Sequence, residues 1–297
     1  MDFGRLITAM VTPFDENGEV DYQRARRLAR ALVESGSDGL VVSGTTGESP
    51  TLSTEEKLRL FSEVKAEIGG GVVAGTGSYN TKASIELTRE AEKAGADAAL
   101  LVVPYYNKPP QEGLFQHFKA IAEGTTLPCI LYNVPGRTVA NLSADTVIRL
   151  AEIDNIVGVK EASGNLEQIA RIIQNTDGDF LVYSGNDSDT LPILALGGYG
   201  VVSVTSHLVG RQIKRMMQEY LDGNVRQASQ IHRQLLPLTE ALFVVANPMP
   251  IKYALNHVGF AVGKPRLPLV EPDEKARTLI ESMLRAYSVD IPPAYLQ

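Results

Sequence analysis

The chain has 297 residues, a formal net charge of −7 and one cysteine, Cys129. That length suits one large domain, or one domain with an appendage, and a lone cysteine excludes an internal disulfide framework and fits a reducing cytoplasm. An acidic balance without a basic block argues against a nucleic-acid partner, and no run approaches the ~18–20 apolar residues of a membrane span.

In chain order, the opening MDFGRLITAM carries no long apolar stretch behind a basic start, so no signal peptide is expected. A two-beat pattern follows. Its short apolar runs are LITAMVTP (6–13), GLVVSG (39–44), GVVAGTG (71–77), AALLVVP (98–104), PCILYNVP (128–135), IVGVKEAS (156–163), FLVYSGN (180–186) and GVVSVTS (200–206). They are rich in Val, Ile and Leu and too short for most helices, as parallel strands buried on both faces are. Each ends in Gly, Ser, Thr or Pro, and helical stretches lie between them. Over 53–68, Leu58, Phe61, Val64 and Ile68 fall on one face, and Ser53 with Glu56 makes a capping-box signature. Over 165–173, Leu166, Ile169, Ala170 and Ile173 repeat the spacing behind Asn165 as N-cap.

Eight strands, each followed by a helix, predict an α/β fold, a (β/α)8 TIM barrel near the usual size of ~250 residues. A doubly wound sheet also alternates, but usually with five or six strands. After an eighth helix at about 208–223 the strand signal stops, and NVRQASQIHRQLLPLTEALF, PMPIKYALNHVG and EKARTLIESMLRAY read as helices. The expected organisation is a catalytic barrel over 1–223 and a C-terminal helical domain over 224–297 that adds packing and no chemistry.

In such a barrel the active groups sit at the C-terminal ends of the strands. Those ends read GTTGES (44–49), PYYNKPP (104–110), YNVPGRT (132–138), Lys160, SGND (184–187) and SVTSH (203–207). Lys160 is out of place, because a strand buried on both faces should hold no ammonium group. Alone it has a plain account, a lysine snorkelling from a strand end into water. Yet no other lysine lies inside an apolar run, and this one would share the mouth with hydroxyls and an arginine. It is therefore a candidate amine nucleophile that forms a Schiff base with a carbonyl substrate. The imine is an electron sink, and that route needs proton shuttles rather than a metal. Tyr132, Tyr106 and Thr45 offer hydroxyls for the shuttle. The N–H groups and hydroxyls of GTTG suit a small carboxylate, and Arg137 would clamp a second one bidentately.

Other chemistries fit less well. The four histidines (His117, His207, His232 and His257) are scattered, with no HxH or HExxH spacing for a metal. GTGSYN (75–80) lacks the third glycine of a dinucleotide fingerprint, and neither a Walker motif nor a GxSxG elbow occurs. Singly, the strand ends have ordinary accounts: a capping turn at GTTGES, rim packing by Tyr105 and Tyr106, a turn at Pro135-Gly136, a surface ion pair for Arg137. Together, on one end of consecutive strands, they make a site.

GTTGES, PYYNKP, YNVPGRT and GVKEASG, in this order, resemble the dihydrodipicolinate synthase family. That family belongs with the pyruvate-dependent class I aldolases, alongside sialic acid lyase and keto-deoxy-gluconate aldolase. The resemblance covers essentially the whole chain, and the four motifs together are highly specific. It implies that Lys160 forms the imine with pyruvate and that Tyr132 relays the proton. Thr45 would link Tyr132 to Tyr106, a tyrosine supplied by a neighbouring subunit. Thr46 would hold the pyruvate carboxylate and Arg137 that of L-aspartate 4-semialdehyde. Gly185 and the backbone of Val202 would complete the pocket floor. The family makes lysine and diaminopimelate precursors, is usually a cytoplasmic homotetramer built as a dimer of dimers, and needs no metal or organic cofactor.

Arg137 separates this reading from its alternative, a related pyruvate lyase acting on a keto-sugar acid or sialic acid. The resemblance places a small or apolar residue there in the sugar-acid lyases, whereas a guanidinium suits a short aldehyde bearing a carboxylate. A regulator or binder of the same superfamily would lack Lys160 or Tyr132. Lysine-inhibited members of the family use histidine, asparagine and glutamate in an allosteric pocket at the dimer interface. At the matching places this chain has Thr54, Lys57, Tyr79 and Ala83, and only Ser49 and Tyr105 keep the pattern. Inhibition by L-lysine is therefore expected to be weak or absent.

Overall fold

The structure is a computed structural model that describes residues 3–296. Eight strands pair in sequence order, all parallel, and close into a barrel. They are β1 (Leu6–Ala9), β2 (Gly39–Val42), β3 (Val72–Gly75), β4 (Ala98–Val102), β5 (Cys129–Asn133), β6 (Ile156–Glu161), β7 (Leu181–Ser184) and β8 (Gly200–Ser203). Every expected run contains one strand, and the (β/α)8 reading holds. The strands stop short of the expected run ends, so the Gly, Ser, Thr and Pro tails of those runs become the loops of the mouth.

The outer layer is α1 (Tyr22–Glu34), α2 (Thr54–Ile68), α3 (Thr81–Lys93), α4 (Gln111–Ala122), the single turn α5 (Pro135–Thr138), α6 (Ala144–Ala151), α7 (Leu166–Gln174), α8 (Thr190–Ala195) and α9 (Ser206–Leu221). The capping box of α2 is formed, with Ser53 and Glu56 each accepting the other's backbone N–H, a feature worth about 1 kcal/mol. The buried face of α2 is the expected one with Leu60 added. Leu60, Phe61 and Val64 are buried, while Leu58 and Ile68 are half-buried at the margins. In α7 the buried pair is Ile169 and Ile172, and Leu166 at the first turn is exposed. Where apolar residues stand at both i+3 and i+4, periodicity alone does not fix which stripe turns inward. The eighth helix starts at Ser206, two residues before the expected position, with a kink at Val209.

Two apolar layers follow from strand alternation. Ile7, Val41, Val73, Leu100, Ile130, Tyr132, Tyr183 and Val202 belong to one cluster, the barrel interior. The residues between them join a larger cluster under the helices. The three tail helices, α10 (Val225–Leu242), α11 (Met249–His257) and α12 (Glu274–Leu284), pack into that same larger cluster through Leu235, Leu238, Ile251, Leu255 and Ile280. Among the described residues, no helix is long and apolar enough to cross a membrane.

Two of the scattered histidines are structural. His207 donates from Nδ1 to the Val204 carbonyl at 2.8 Å and accepts the Val11 N–H at Nε2 at 3.1 Å, which fixes the neutral tautomer. Burial pushes both His207 and His117 down to about 4.

Candidate active site

Lys160 stands on β6, where the alternation settles the puzzle of a lysine in an apolar strand. A bulge in the pairing between Cys129 and Ile130 sets the register so that Lys160 is level with Tyr132 on one side and Tyr183 on the other. Both tyrosines belong to the barrel interior, so the lysine side chain points inward, while Val159 and Glu161 face the helices. Lys160 is 6% exposed, and its Nζ lies 4.2 Å from the centroid of the Tyr132 ring. Among the described residues, no carboxylate lies within ion-pair distance of it. An amine held against an aromatic face, without a counter-ion, is placed to act on a ligand rather than to close a salt bridge.

Glu161 braces this strand end from outside. Its carboxylate accepts the Asn133 amide at 3.1 Å, the Ser163 N–H at 2.9 Å and the Gln168 amide at 3.2 Å. Burial raises its pKa against those hydrogen bonds. The end of β7 comes close to the same place. Gly185 donates its N–H to the Glu161 carbonyl at 2.7 Å. A Cβ on Gly185 would stand 2.7 Å from the Ala162 Cβ, so only glycine allows this approach. Beyond it, Asp187 accepts the Ser203 hydroxyl and the N–H of Val204 at 2.9 Å, which fixes the turn after β8 and the backbone that follows Val202.

A cavity of about 220 Å³ opens at the mouth between β2 and β5. Thr45, Ser49, Tyr105, Tyr132, Arg137 and Thr138 are among its lining residues. Lys160 does not itself line it but lies against the ring of Tyr132, which does; Gly185 and Val202 lie farther round the barrel, at the ends of β7 and β8. Thr46 is buried behind Thr45, and its hydroxyl accepts the Asn247 amide at 2.8 Å, which leaves its own proton to donate. Among the described residues, no protein acceptor meets the backbone N–H groups of Thr45 and Thr46. The turn thus offers donors toward an anion.

Arg137 rides on the one-turn helix α5, which Pro135 starts at a position where its missing N–H costs nothing. Its Nη2 donates to the Asn247 carbonyl at 3.1 Å, and the other donors of the fork stay available. Val139 closes the turn at a φ of 57°, a left-handed value unusual for a β-branched residue. Tyr106 does not line its own chain's cavity. It is 92% exposed, at a φ of 71°, beside an open hollow that also involves Tyr105, Lys108, Arg137 and Val139.

Three neighbours of the site were not expected from the sequence. Tyr105, given no catalytic or substrate-binding role from the sequence, lines the cavity and meets Tyr79 edge-on at 5.1 Å. Asn247, between α10 and α11, touches both Thr46 and Arg137. The tail expected to contribute packing alone therefore holds two of the site's own residues. Glu48, read as part of a turn, is buried and paired with Lys252.

The model of the dihydrodipicolinate synthetase family matches residues 2–287. A 4-hydroxy-tetrahydrodipicolinate synthase of Dehalococcoides mccartyi is 61% identical over 98% of this chain and 99% of its own length. Among solved structures, a dihydrodipicolinate synthase from Bacillus anthracis superposes with a TM-score of 0.95 at 48% identity, covering 97% of this chain and 99% of that one. One from Cyanidioschyzon merolae, solved with lysine bound, superposes with a TM-score of 0.94 at 52% identity, covering 96% and 98%. With fold, strand-end motifs and near full-length similarity in agreement, this chain belongs to the dihydrodipicolinate synthetase family.

Proposed function

We propose that the chain condenses pyruvate with L-aspartate 4-semialdehyde to give 4-hydroxy-tetrahydrodipicolinate, a step toward lysine and diaminopimelate. The observation that carries the reading is Lys160, buried against Tyr132 without a counter-ion in a barrel whose mouth also presents Arg137. The Lys160 amine adds to the keto carbon of pyruvate, and loss of water gives the imine. A methyl proton leaves and the resulting enamine attacks the aldehyde carbon. The substrate's own amine then adds to the imine carbon, and Lys160 departs as the free amine. Tyr132 relays protons, with Thr45 linking it to Tyr106. Thr46 and the N–H groups of its turn hold the pyruvate carboxylate, Arg137 holds that of the semialdehyde, and Gly185 with the Val202 backbone forms the floor. The barrel over 1–223 carries this chemistry and 224–297 braces it. The test is a coupled assay with both substrates and the following reductase. Turnover is expected with L-aspartate 4-semialdehyde, and turnover only with a keto-sugar acid or sialic acid would replace this reading by the lyase alternative.

The exposed Tyr106 supports assembly in which this side chain completes a neighbour's site, within a cytoplasmic homotetramer arranged as a dimer of dimers. Mixing inactive Tyr106→Phe subunits with inactive Lys160→Ala subunits is expected to restore part of the activity, since one site of a mixed dimer would hold both groups. Confirmed subunit exchange without restoration would place Tyr106 in its own chain's chemistry.

L-Lysine is expected to inhibit weakly or not at all. Its ammonium group would need a carboxylate, and Ala83 supplies none. Glu86, one turn along, is already 3.9 Å from Lys82. Lys57, whose pKa burial lowers, adds repulsion while it is protonated. Titrating L-lysine to millimolar levels at fixed pyruvate checks this, and clear saturable inhibition would contradict it.

A further inference from the structure

A buried ion pair ties the C-terminal helices to the turn after β2. Lys252, on α11, is 1% exposed. Its Nζ donates to Glu48 Oε1 at 2.8 Å, to the Thr12 carbonyl at 3.0 Å and to the Lys264 carbonyl at 3.1 Å, so all three protons are engaged. The ammonium also lies 4.1 Å from the centroid of the Phe14 ring. Glu48 is equally enclosed, and its Oε2 accepts the backbone N–H of Arg266 at 2.8 Å. The Arg266 side chain in turn grips the Thr51 carbonyl at 2.8 Å and both oxygens of Glu56, at 2.9 and 2.6 Å. Burial lowers the Lys252 ammonium to about 8, against the pull of Glu48.

Stability alone does not account for this pair, because well-packed apolar residues of similar size often serve a core as well or better. Its place in the fold does. Glu48 is held at a φ of 57°, left-handed for a residue with a side chain. It closes the turn that starts at Gly44 and carries Thr45 and Thr46, with the Glu48 N–H on the Thr45 carbonyl at 3.1 Å and the Ser49 N–H on the Gly44 carbonyl at 3.2 Å. The Thr12 hydroxyl holds the Gly47 carbonyl at 2.7 Å, and the carbonyl of that same Thr12 is one of the Lys252 acceptors. Lys252 therefore anchors the turn at Glu48 directly and at Gly47 through Thr12.

We propose that Glu48 and Lys252 are positioning residues that lock the Thr45–Thr46 turn in the shape that receives the keto-acid carboxylate. The proposal rests on the reading that this turn binds pyruvate. A lock of this kind moves the pyruvate concentration needed for half-saturation more than it moves the rate of the bound complex.

The test is borohydride trapping of the pyruvyl adduct, followed by mass against pyruvate concentration. In Glu48→Gln/Lys252→Met, which removes both charges at similar volume, half-saturating pyruvate is expected to rise at least about tenfold, with the saturated trapping rate within about threefold of the parent. Glu48→Asp keeps the charge that compensates Lys252 and shortens its reach, so it retains the fold if the double variant does not, and its half-saturation should rise about threefold or more. Half-saturation unchanged in a folded variant would overturn the proposal, as would a fall in saturated rate alone, which a general loosening around Lys160 would give. If the parent protein forms no pyruvyl adduct at all, the reading of the site falls and the lock falls with it. If the parent forms the adduct and the variants match it, only the lock falls.

Discussion

Lys160→Arg will form no pyruvyl adduct under borohydride and will lose activity by at least about a thousandfold, because an arginine stays protonated and cannot act as the nucleophile. Lys160→Met will lose as much activity and yet fold as well as the parent. Lys160 is buried with no carboxylate partner among the described residues, so removing its amine leaves no opposite charge stranded. Lys252 provides the contrast. It is equally buried but fully paired, and replacing it alone would strand the Glu48 carboxylate. Two buried lysines in one chain thus differ in their partners, and the proposed roles, a reacting group at Lys160 and a holding group at Lys252, follow that difference. Peptide mapping after trapping reads the first directly. An adduct found on Lys252, on another lysine, or nowhere would sink the Schiff-base mechanism at Lys160, while loss of folded protein in Lys160→Met would mean that the side chain is structural.

Lys160 was legible in the sequence because the strand signal around it is strong and an ammonium contradicts that signal. Period-two alternation in a parallel barrel demands an apolar residue at an inward position, and the exception marks the site. The barrel itself was legible for a related reason. Each beat is local, a few β-branched residues closed by a turn, and each needs nothing from distant chain. The capping box at Ser53 and Glu56 is local too. Asn247 and Lys252 were not legible. Their partners Thr46 and Glu48 lie more than two hundred residues away along the chain, and no periodicity joins VVANPMP to GTTGES. The buried faces of α2 and α7 are an intermediate case: Phe61, Val64 and Ile169 are buried as the spacing predicts, but Leu60 and Ile172 join them and Leu166 is exposed. The helices were found, but which stripe turns inward depends on the neighbours each helix meets.

Arg137→Ala is expected to lower kcat/KM for L-aspartate 4-semialdehyde by about 10- to 150-fold, the loss of about 1.5–3 kcal/mol that charged hydrogen bonds to a carboxylate supply. Pyruvate trapping on Lys160 should stay within about threefold of the parent, since that step precedes any contact with the second substrate. The geometry supports this split. Arg137 stands on α5 at the rim of the cavity, whereas the N–H groups proposed to receive the keto acid belong to the separate turn at Thr45 and Thr46. One guanidinium nitrogen is anchored on the Asn247 carbonyl at 3.1 Å, which orients the fork without using it up. Arg137→Lys should recover only part of the loss, because a point charge on a flexible stem cannot reproduce a planar two-point grip. If trapping and condensation fall together in Arg137→Ala, the arginine acts through Asn247 and Thr46 as a brace for the pyruvate turn and the second carboxylate is bound elsewhere. If condensation falls alone, the positive charge at the rim is what selects a short aldehyde bearing a carboxylate over the polyol chain of a sugar acid.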